Sequence, residues 1–143
     1  MTDNPLVKTI TVPWDVSRAF ERFTEEIDTW WPLDTHSVFP EDVSTAAMEC
    51  RVGGRILETR GDGETALWGT VLAFDAPGLV RFTWHPGREP DTAQEVEVTF
   101  AAQDGGTLVT LTHSGWDILG EKAEETRSGY DSGWDLVLGR YTG

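Results

Sequence analysis

The three histidines and the single cysteine are the residues of this sequence best suited to bind a metal ion. His36, His85 and His113 are far apart along the chain, and none lies in an HExxH pattern. Cys50 has no second cysteine with which to form a CxxC pair or a disulfide. Because zinc sites draw on closely spaced Cys and His ligands, the sequence predicts no metal site. It also contains no pattern that predicts a bound cofactor.

His113 has two interpretations. It ends the predicted strand "TLVTLTH" on the same face as Val109 and Leu111. There it could anchor a polar group of a ligand, or act as a general base that titrates near neutral pH. We favour the alternative of a hydrogen-bonded histidine at a sheet edge, because few histidines in any fold are catalytic. We expect His36 and His85, which fall in predicted loops, to be exposed to solvent.

The other polar patterns do not form a recognisable catalytic centre. Glu58 and Arg60 share one face of "RILETR", so they could point inward and bind a polar group of a ligand. A solvent-facing position explains the same pattern equally well. The Ser-Gly pair at 114–115 lacks the GxSxG motif, and the Gly-Gly pair at 53–54 lacks the spacing of phosphate-binding loops. The catalytic residues stay unassigned, and we expect no hydrolase activity on generic ester or peptide substrates.

These side chains must be positioned by a strand, a helical region, a series of strands and a final helix. The first strand is "LVKTITV", and a helix or a bent pair of helices covers about 13–31, with Pro13 at its first position and Pro32 ending it. Six strand candidates between about 45 and 114 follow, separated by Gly-Gly, Asp-Gly and Pro-Gly turns. Apolar residues at steps of three and four predict a helix over about 121–143.

Consecutive strands without an intervening helix predict an antiparallel meander, which the first strand must join. The fold class is therefore α+β. An antiparallel sheet of seven strands with one apolar face must cover that face, and the C-terminal helix is the element long enough to do so. Gly129 and Gly133 interrupt this helix, so we expect empty space beside it.

Alternation with a period of two assigns many aromatic and aliphatic side chains to the inner face of the sheet. These side chains and the gap beside the helix predict an apolar pocket. Plain core packing is the alternative for each residue, and for any single one it is the commoner outcome. The residues that we expect to bind a ligand are Trp31, Phe82, Trp84, Val98, His113, Tyr130 and Trp134.

Two adjacent tryptophans, Trp30 and Trp31, end the first helical region immediately before Pro32. On a helical wheel, Trp30 falls about 40° to one side of the apolar stripe and Trp31 about 60° to the other. We therefore predict that Trp30 anchors the N-terminal helices to the sheet. We place Trp31 at the pocket mouth, with the following "PLDTHSVF" loop acting as a lid.

The composition limits the classes of partner. The 143 residues are sufficient for one domain with its own core. Eleven Lys and Arg against 25 Asp and Glu give a net charge of −14, which repels nucleic acid and anionic lipid. We therefore expect neither nucleic-acid binding nor membrane insertion. One cysteine and no recognisable signal peptide favour a cytoplasmic location.

Six motifs in order resemble those of the START-related helix-grip (SRPBCC) superfamily. They are "VPWDVSRAF", "WWP", "CRVGGRI", "WGTVLAFDAPGLVRFTW", "GGTLVTLTHSG" and the final "GW". Within the superfamily they look most like the branch related to the C-terminal domain of the activator of the heat-shock protein ninety ATPase. The resemblance implies a curved sheet around the C-terminal helix, two short helices after the first strand, and a deep, mostly apolar cavity. It implies no shared catalytic residue.

Three functions remain open at this point. The first is a binding module for a small hydrophobic or aromatic molecule, which is favoured because the inner face is aromatic and no catalytic constellation is recognisable. The second is an enzyme of the cyclase or dehydratase kind, in which His113 or Glu58 would move a proton. The third is a protein-interaction domain with a chaperone as its partner, as the resemblance suggests. A homodimer is also left open.

Overall fold

The computed structural model describes residues 5–33, 38 and 44–142. Seven strands, three α-helices and two short 3₁₀ segments make up the described chain. In chain order they are β1 (Leu6–Val12), α1 (Val16–Thr24), α2 (Ile27–Trp30), β2 (Ser44–Met48), β3 (Arg55–Arg60), β4 (Thr65–Asp75), β5 (Leu79–Trp84), a 3₁₀ turn (Pro90–Thr92), β6 (Gln94–Gln103), β7 (Gly106–Ser114), a 3₁₀ segment (Trp116–Lys122) and α3 (Ala123–Thr142).

The strands form one antiparallel sheet in the order β1-β7-β6-β5-β4-β3-β2. Strands β2 to β7 are a meander, and β1 closes the far side by pairing with β7, from Leu6 opposite His113 to Val12 opposite Thr107. Both the predicted meander and the predicted place of the first strand are confirmed. The inner and outer faces of β5, β6 and β7 also alternate as predicted, with Val80, Val96, Val98 and Leu111 fully buried.

The sheet is curved around its central strands. The register shifts between Ile56 and Leu57 where β3 meets β4, and between Val71 and Ala73 where β4 meets β5. Such irregularities bend a strand and increase its twist. Near these irregularities β4 lies unusually close to β5. A Cβ atom built on Gly69 would lie only 1.8 Å from the Thr83 carbonyl oxygen. Only glycine allows this approach.

The N-terminal helical region is a bent pair of short helices. Asp15 is the N-cap of α1, and its Oδ1 accepts a hydrogen bond of 2.8 Å from the Arg18 backbone N–H. The predicted start at Pro13 is therefore wrong. The helix begins at Val16, because the Asp15 side chain caps it by accepting a hydrogen bond from a helical N–H that would otherwise be unpaired. Phe20 and Phe23 point into the core from α1, and Ile27 and Trp30 do so from α2.

The C-terminal helix is preceded by a 3₁₀ segment and begins at Ala123 instead of 121. The 3₁₀ segment itself is interrupted at Gly120, whose φ of 57° and ψ of −123° are not helical. Trp134 and Val137 on α3 are buried against the sheet. The far end of α3 is fixed to α1, since Tyr141 Oη donates a hydrogen bond of 2.6 Å to the Ala19 carbonyl oxygen. No helix among the described residues is long and apolar enough to cross a membrane.

A candidate ligand cavity lined by indole rings

A cavity of about 240 Å³ lies between α3 and the ends of strands β4 and β5. Its volume is below the roughly 300–1,000 Å³ of typical small-molecule sites, so it suits a small ligand. Four tryptophans and one tyrosine supply most of the wall, and the loop after β5 supplies part of the rim. The described lining residues are Trp31, Val38, Trp68, Trp84, Pro86, Gly87, Tyr130, Gly133, Trp134 and Val137.

The four indole rings contact one another around this space. The ring centroids of Trp31 and Trp68 are 4.9 Å apart, and those of Trp31 and Trp84 are 5.7 Å apart. Trp84 and Trp134 are tilted by 35° at 5.7 Å. Aromatic rings at these separations attract each other beyond the effect of buried area. The aromatic walls of the cavity are therefore packed against each other.

The indole N–H groups of Trp68 and Trp134 are hydrogen-bonded to other described side chains. Trp68 Nε1 donates to Glu58 Oε1 at 3.2 Å, and Trp134 Nε1 donates to His113 Nδ1 at 3.0 Å. Trp84 Nε1 is buried and has no hydrogen-bond partner among the described residues. Because nearly all buried polar groups in native proteins are paired, this donor stands out.

Glu58 points inward and is fully buried. Besides the Trp68 N–H, its carboxylate accepts hydrogen bonds from Ser44 Oγ at 2.7 Å and from the Val38 backbone N–H at 2.8 Å. A buried carboxylate requires such donors. Arg60 is directed elsewhere and forms ion pairs with Asp62 and Glu64. The sequence left open whether Glu58 and Arg60 face the interior or the solvent. Glu58 faces the interior, where its hydrogen bond to Trp68 supports a cavity wall.

His113 is buried behind the cavity instead of lining it. Its Nδ1 accepts the Trp134 N–H, so the ring hydrogen is on Nε2, which donates to Gln94 Oε1 at 3.2 Å. Burial lowers the pKa of His113 to about 3, so the ring is neutral near pH 7. The favoured prediction of a hydrogen-bonded histidine agrees with these contacts, but β7 lies inside the sheet and not at its edge. With both nitrogens engaged, His113 positions Trp134.

Tyr130 is the ionisable residue in the described lining. Burial raises its pKa above the ordinary value, while the nearby Arg88 charge and the Trp84 indole act in the opposite direction. Its hydroxyl thus lies near Trp84, although no hydrogen bond satisfies the Trp84 N–H. Tyr130 therefore remains a neutral phenol that can donate a hydrogen bond into the cavity.

The predicted exposure of His85 is wrong, since only 3% of this residue is accessible to solvent. Its backbone N–H continues the β4–β5 pairing by donating to the Trp68 carbonyl oxygen at 2.7 Å. Its Nδ1 donates to the Arg88 carbonyl oxygen at 3.2 Å. These bonds fold the 85–88 loop over the end of the sheet and place Pro86 and Gly87 at the cavity. His36 lies outside the described residues.

The structure separates the predicted ligand-binding residues into two groups. Trp31, Trp84, Tyr130 and Trp134 line the cavity, whereas Phe82, Val98 and His113 are buried beside it. Phe82 packs on Trp84 with ring centroids 5.4 Å apart. Of the two predicted gap-forming glycines, Gly133 lines the cavity and Gly129 is exposed. Most of the loop predicted as a lid lies outside the described residues.

Sequence reasoning missed Trp68 as a cavity wall. A signal was present, because the "DAPG" turn joins two predicted strands and fixes which residues face each other across the hairpin. Counting back from this turn places Trp68 next to the end of β5, close to Trp84. The register shift between Val71 and Ala73 moves this pairing by one residue, which alternation along a single strand does not reveal.

Comparison with known proteins identifies the family. Residues 15–140 match the family model described as activator of Hsp90 ATPase homolog 1-like protein. The chain belongs to this family. Among curated protein sequences, none is significantly similar to it.

Several solved structures share this fold. An anthrahydroquino-gamma-pyrone synthase, Txn09, is 30% identical, with a TM-score of 0.64 over 96% of this chain and 94% of the synthase. Protein MLL2253 from Mesorhizobium loti has a TM-score of 0.72 at 15% identity, over 97% of this chain and 94% of its own. The Aha1 dimer from Colwellia psychrerythraea has a TM-score of 0.70 at 16% identity, over 99% and 94%.

Proposed function

We propose that this member of the Hsp90 ATPase activator homolog 1-like family binds a small planar aromatic molecule between α3 and the sheet. The observation that carries the proposal is the wall of four tryptophans and Tyr130 around a space of about 240 Å³. Flat π-systems stack favourably on such rings. A mostly apolar pocket with a few polar groups is also what small-molecule sites typically offer.

Filling the cavity from its own wall tests this proposal. Gly133→Leu directs a side chain into the space that Gly133 lines. Gly129→Leu is the matched control, because it lies on the same helix and no heavy atom lies within 4 Å of a Cβ atom built there. Both changes replace a poor helix former by a good one, so their effects on helix stability should be similar.

The probe is the neutral dye N-phenyl-1-naphthylamine, since the net charge of −14 would repel an anionic dye. We expect saturable binding by the unchanged protein and by Gly129→Leu, with altered tryptophan emission, and at least tenfold weaker binding by Gly133→Leu. A flat titration of the folded, unchanged protein would overturn the proposal. Native mass spectrometry of protein from its own host would identify a retained ligand by its mass.

A second candidate, an enzyme of the cyclase type, is favoured by the 30% identity to the gamma-pyrone synthase. Of the described lining residues, Tyr130 could exchange a proton with a substrate. His113 is less suited to this role, because its accepting nitrogen is occupied by the Trp134 N–H. Tyr130→Phe discriminates the two candidates. In either case the variant should keep its affinity for an apolar probe. If the protein is an enzyme that uses the phenol, the variant should lose a turnover that the unchanged protein has.

A further inference from the structure

The unpaired N–H of Trp84 indicates what kind of aromatic molecule the cavity selects. Only 2% of Trp84 is accessible to solvent, and its Nε1 has no hydrogen-bond partner among the described residues. The comparable donors on Trp68 and Trp134 are satisfied by Glu58 and His113. A buried donor without a partner is unfavourable in the free protein, and an acceptor on a ligand in the adjoining cavity would remove this cost.

We propose that the ligand carries a carbonyl oxygen on or beside its aromatic ring, and that this oxygen accepts a hydrogen bond from Trp84 Nε1. This inference rests on the proposed function and makes it more specific. It makes Trp84 a specificity-determining residue in addition to a wall of the cavity.

The chemistry of the neighbouring groups favours a carbonyl over other polar groups. An indole N–H can only donate, so a ligand ammonium, which has no lone pair, would leave it unpaired. An aryl amine would accept only weakly, because its lone pair is delocalised into the ring. The Tyr130 hydroxyl near Trp84 can donate as well, and a carbonyl oxygen has two lone pairs with which to accept both bonds. A ligand hydroxyl could also accept from Trp84 and donate to the Tyr130 oxygen, but a carbonyl oxygen accepts from both donors and brings no hydrogen of its own that must be paired.

An anionic oxygen fits this site less well than a neutral one. The described lining contains no Lys or Arg side chain, and Arg88, whose charge acts on Tyr130, is exposed. Transfer of an unpaired carboxylate into an apolar cavity is costly, and the net charge of −14 adds repulsion. A neutral aryl ketone or quinone-type oxygen satisfies the donors without this cost.

Two probes with the same fused-ring skeleton test the proposal. Indane has no polar atom, and 1-indanone carries one carbonyl on the five-membered ring. We expect the unchanged protein to bind 1-indanone about tenfold more tightly than indane, as one additional satisfied hydrogen bond predicts. Isothermal titration calorimetry measures both affinities, and a ratio near one would overturn the inference.

The variant Trp84→Phe keeps an aromatic wall but removes the donor, so the affinity ratio should fall to about one. Trp31→Phe is the matched control. It replaces another indole of the same wall by the same smaller ring and leaves the Trp84 N–H in place. It should weaken both probes and preserve their ratio. A ratio that survives in Trp84→Phe, or that is lost equally in both variants, would contradict the role of Trp84.

A measurement on the unchanged protein covers the case in which Trp84→Phe does not fold. In a ¹⁵N spectrum, 1-indanone should move the Trp84 indole N–H resonance downfield, and indane should not. If both probes shift it alike, the carbonyl makes no bond there and the inference is wrong. If neither the two probes nor the naphthylamine dye binds, the proposed function itself fails. If indane and the dye bind without preference for 1-indanone, only the carbonyl inference fails.

Discussion

At the scale of single residues, His113 shows how burial can change a side chain from a reactive group into a support. Its ring stacks on Trp116 with centroids 4.1 Å apart, while Nδ1 and Nε2 are engaged by Trp134 and Gln94. A chain of hydrogen bonds thus runs from the Thr92 carbonyl oxygen through Gln94 and His113 to a wall of the cavity. This arrangement requires a neutral imidazole.

The free energy of unfolding should therefore depend on the protonation of His113. The folded protein holds its pKa at about 3, whereas the unfolded chain has the ordinary value of about 6.5. As the pH falls below about 6.5, only the unfolded chain takes up the proton, so stability decreases by up to about 1.4 kcal/mol per pH unit until the pH nears 3. Urea unfolding between pH 7.5 and 5 measures the slope.

His113→Gln provides the comparison for this pH dependence. It should be less stable at pH 7.5, because it disrupts the packing and the Trp134 bond, and its stability should change less between pH 6.5 and 5. The carboxyl groups with lowered pKa values, such as those of Glu49 and Asp62, titrate below this range. Parallel pH curves for the two proteins would show that His113 is not the group responsible.

The adjacent tryptophans have different surroundings and should respond differently to substitution. Trp30 packs on Phe23 and Tyr141, and its Nε1 donates to the Arg22 carbonyl oxygen at 2.8 Å. Trp31 contacts three other cavity tryptophans. Trp30→Ala should cost about 3–5 kcal/mol of stability. Trp31→Ala should cost less stability and weaken dye binding more. Thermal melts and dye titrations on both variants measure these effects. If Trp31→Ala unfolded the protein and Trp30→Ala were benign, the two roles would be reversed.

At the scale of elements, the close approach of β4 and β5 determines where the cavity walls stand. Gly69 lies next to Trp68 on β4, and the Thr70 N–H donates to Thr83 Oγ1 at 2.8 Å across this approach. Thr83 in turn precedes Trp84. The separation of these two strands therefore sets the separation of two of the indole rings.

Gly69→Ala should destabilise the protein by at least about 2 kcal/mol, because its Cβ atom would meet the Thr83 backbone and the strands would have to separate. Gly78→Ala is the control in the β4–β5 turn, where a Cβ atom would make only an ordinary contact of 3.8 Å. Chemical denaturation measures both. An equal, small effect of the two substitutions would argue against a tight approach at Gly69.

The elements themselves could largely be predicted from the sequence, since turn residues and alternation are local properties. The prediction failed where tertiary contacts intervene. His85 follows a strand and resembles a loop residue, but it is buried because the 85–88 turn folds back onto the Trp68 backbone. Similarly, no local pattern reveals that the Trp84 N–H is unpaired, because that depends on every atom packed around it. Strand alternation orients Trp84, and helix periodicity orients Tyr130 and Trp134. Trp31 lines the cavity for a reason that the helical wheel does not contain, because α1 and α2 are separate and Trp31 follows the end of α2 with an extended backbone.

At the scale of the whole molecule, acidic charge dominates the surface. Lys8, Arg18, Arg55 and Arg60 are each paired with a carboxylate, and acidic residues exceed basic ones by 14. Exposed ion pairs contribute little to stability, whereas excess charge of one sign repels itself. A chaperone partner or a homodimer, which the family resemblance leaves open, stays a prediction for pulldown and sedimentation experiments.

Added salt should therefore stabilise this protein. Raising sodium chloride from 10 to about 150 mM reduces the range of charge interactions from about 30 to 8 Å, which weakens the general repulsion more than it weakens the few close pairs. We expect the melting temperature to rise by a few degrees, since roughly 1 kcal/mol corresponds to about 2–4 °C or slightly more at this size. A fall in the melting temperature would mean that the ion pairs dominate.

The ring of tryptophans around the cavity also gives the protein an optical property. Four indoles with neighbouring centroids 4.9 to 5.7 Å apart are close enough for their electronic transitions to couple as excitons. Such coupling produces a paired positive and negative band in circular dichroism, and it depends steeply on ring distance and angle. A molecule that enters between the rings would alter these bands without any attached label. The wall that would hold a ligand would then also report its presence.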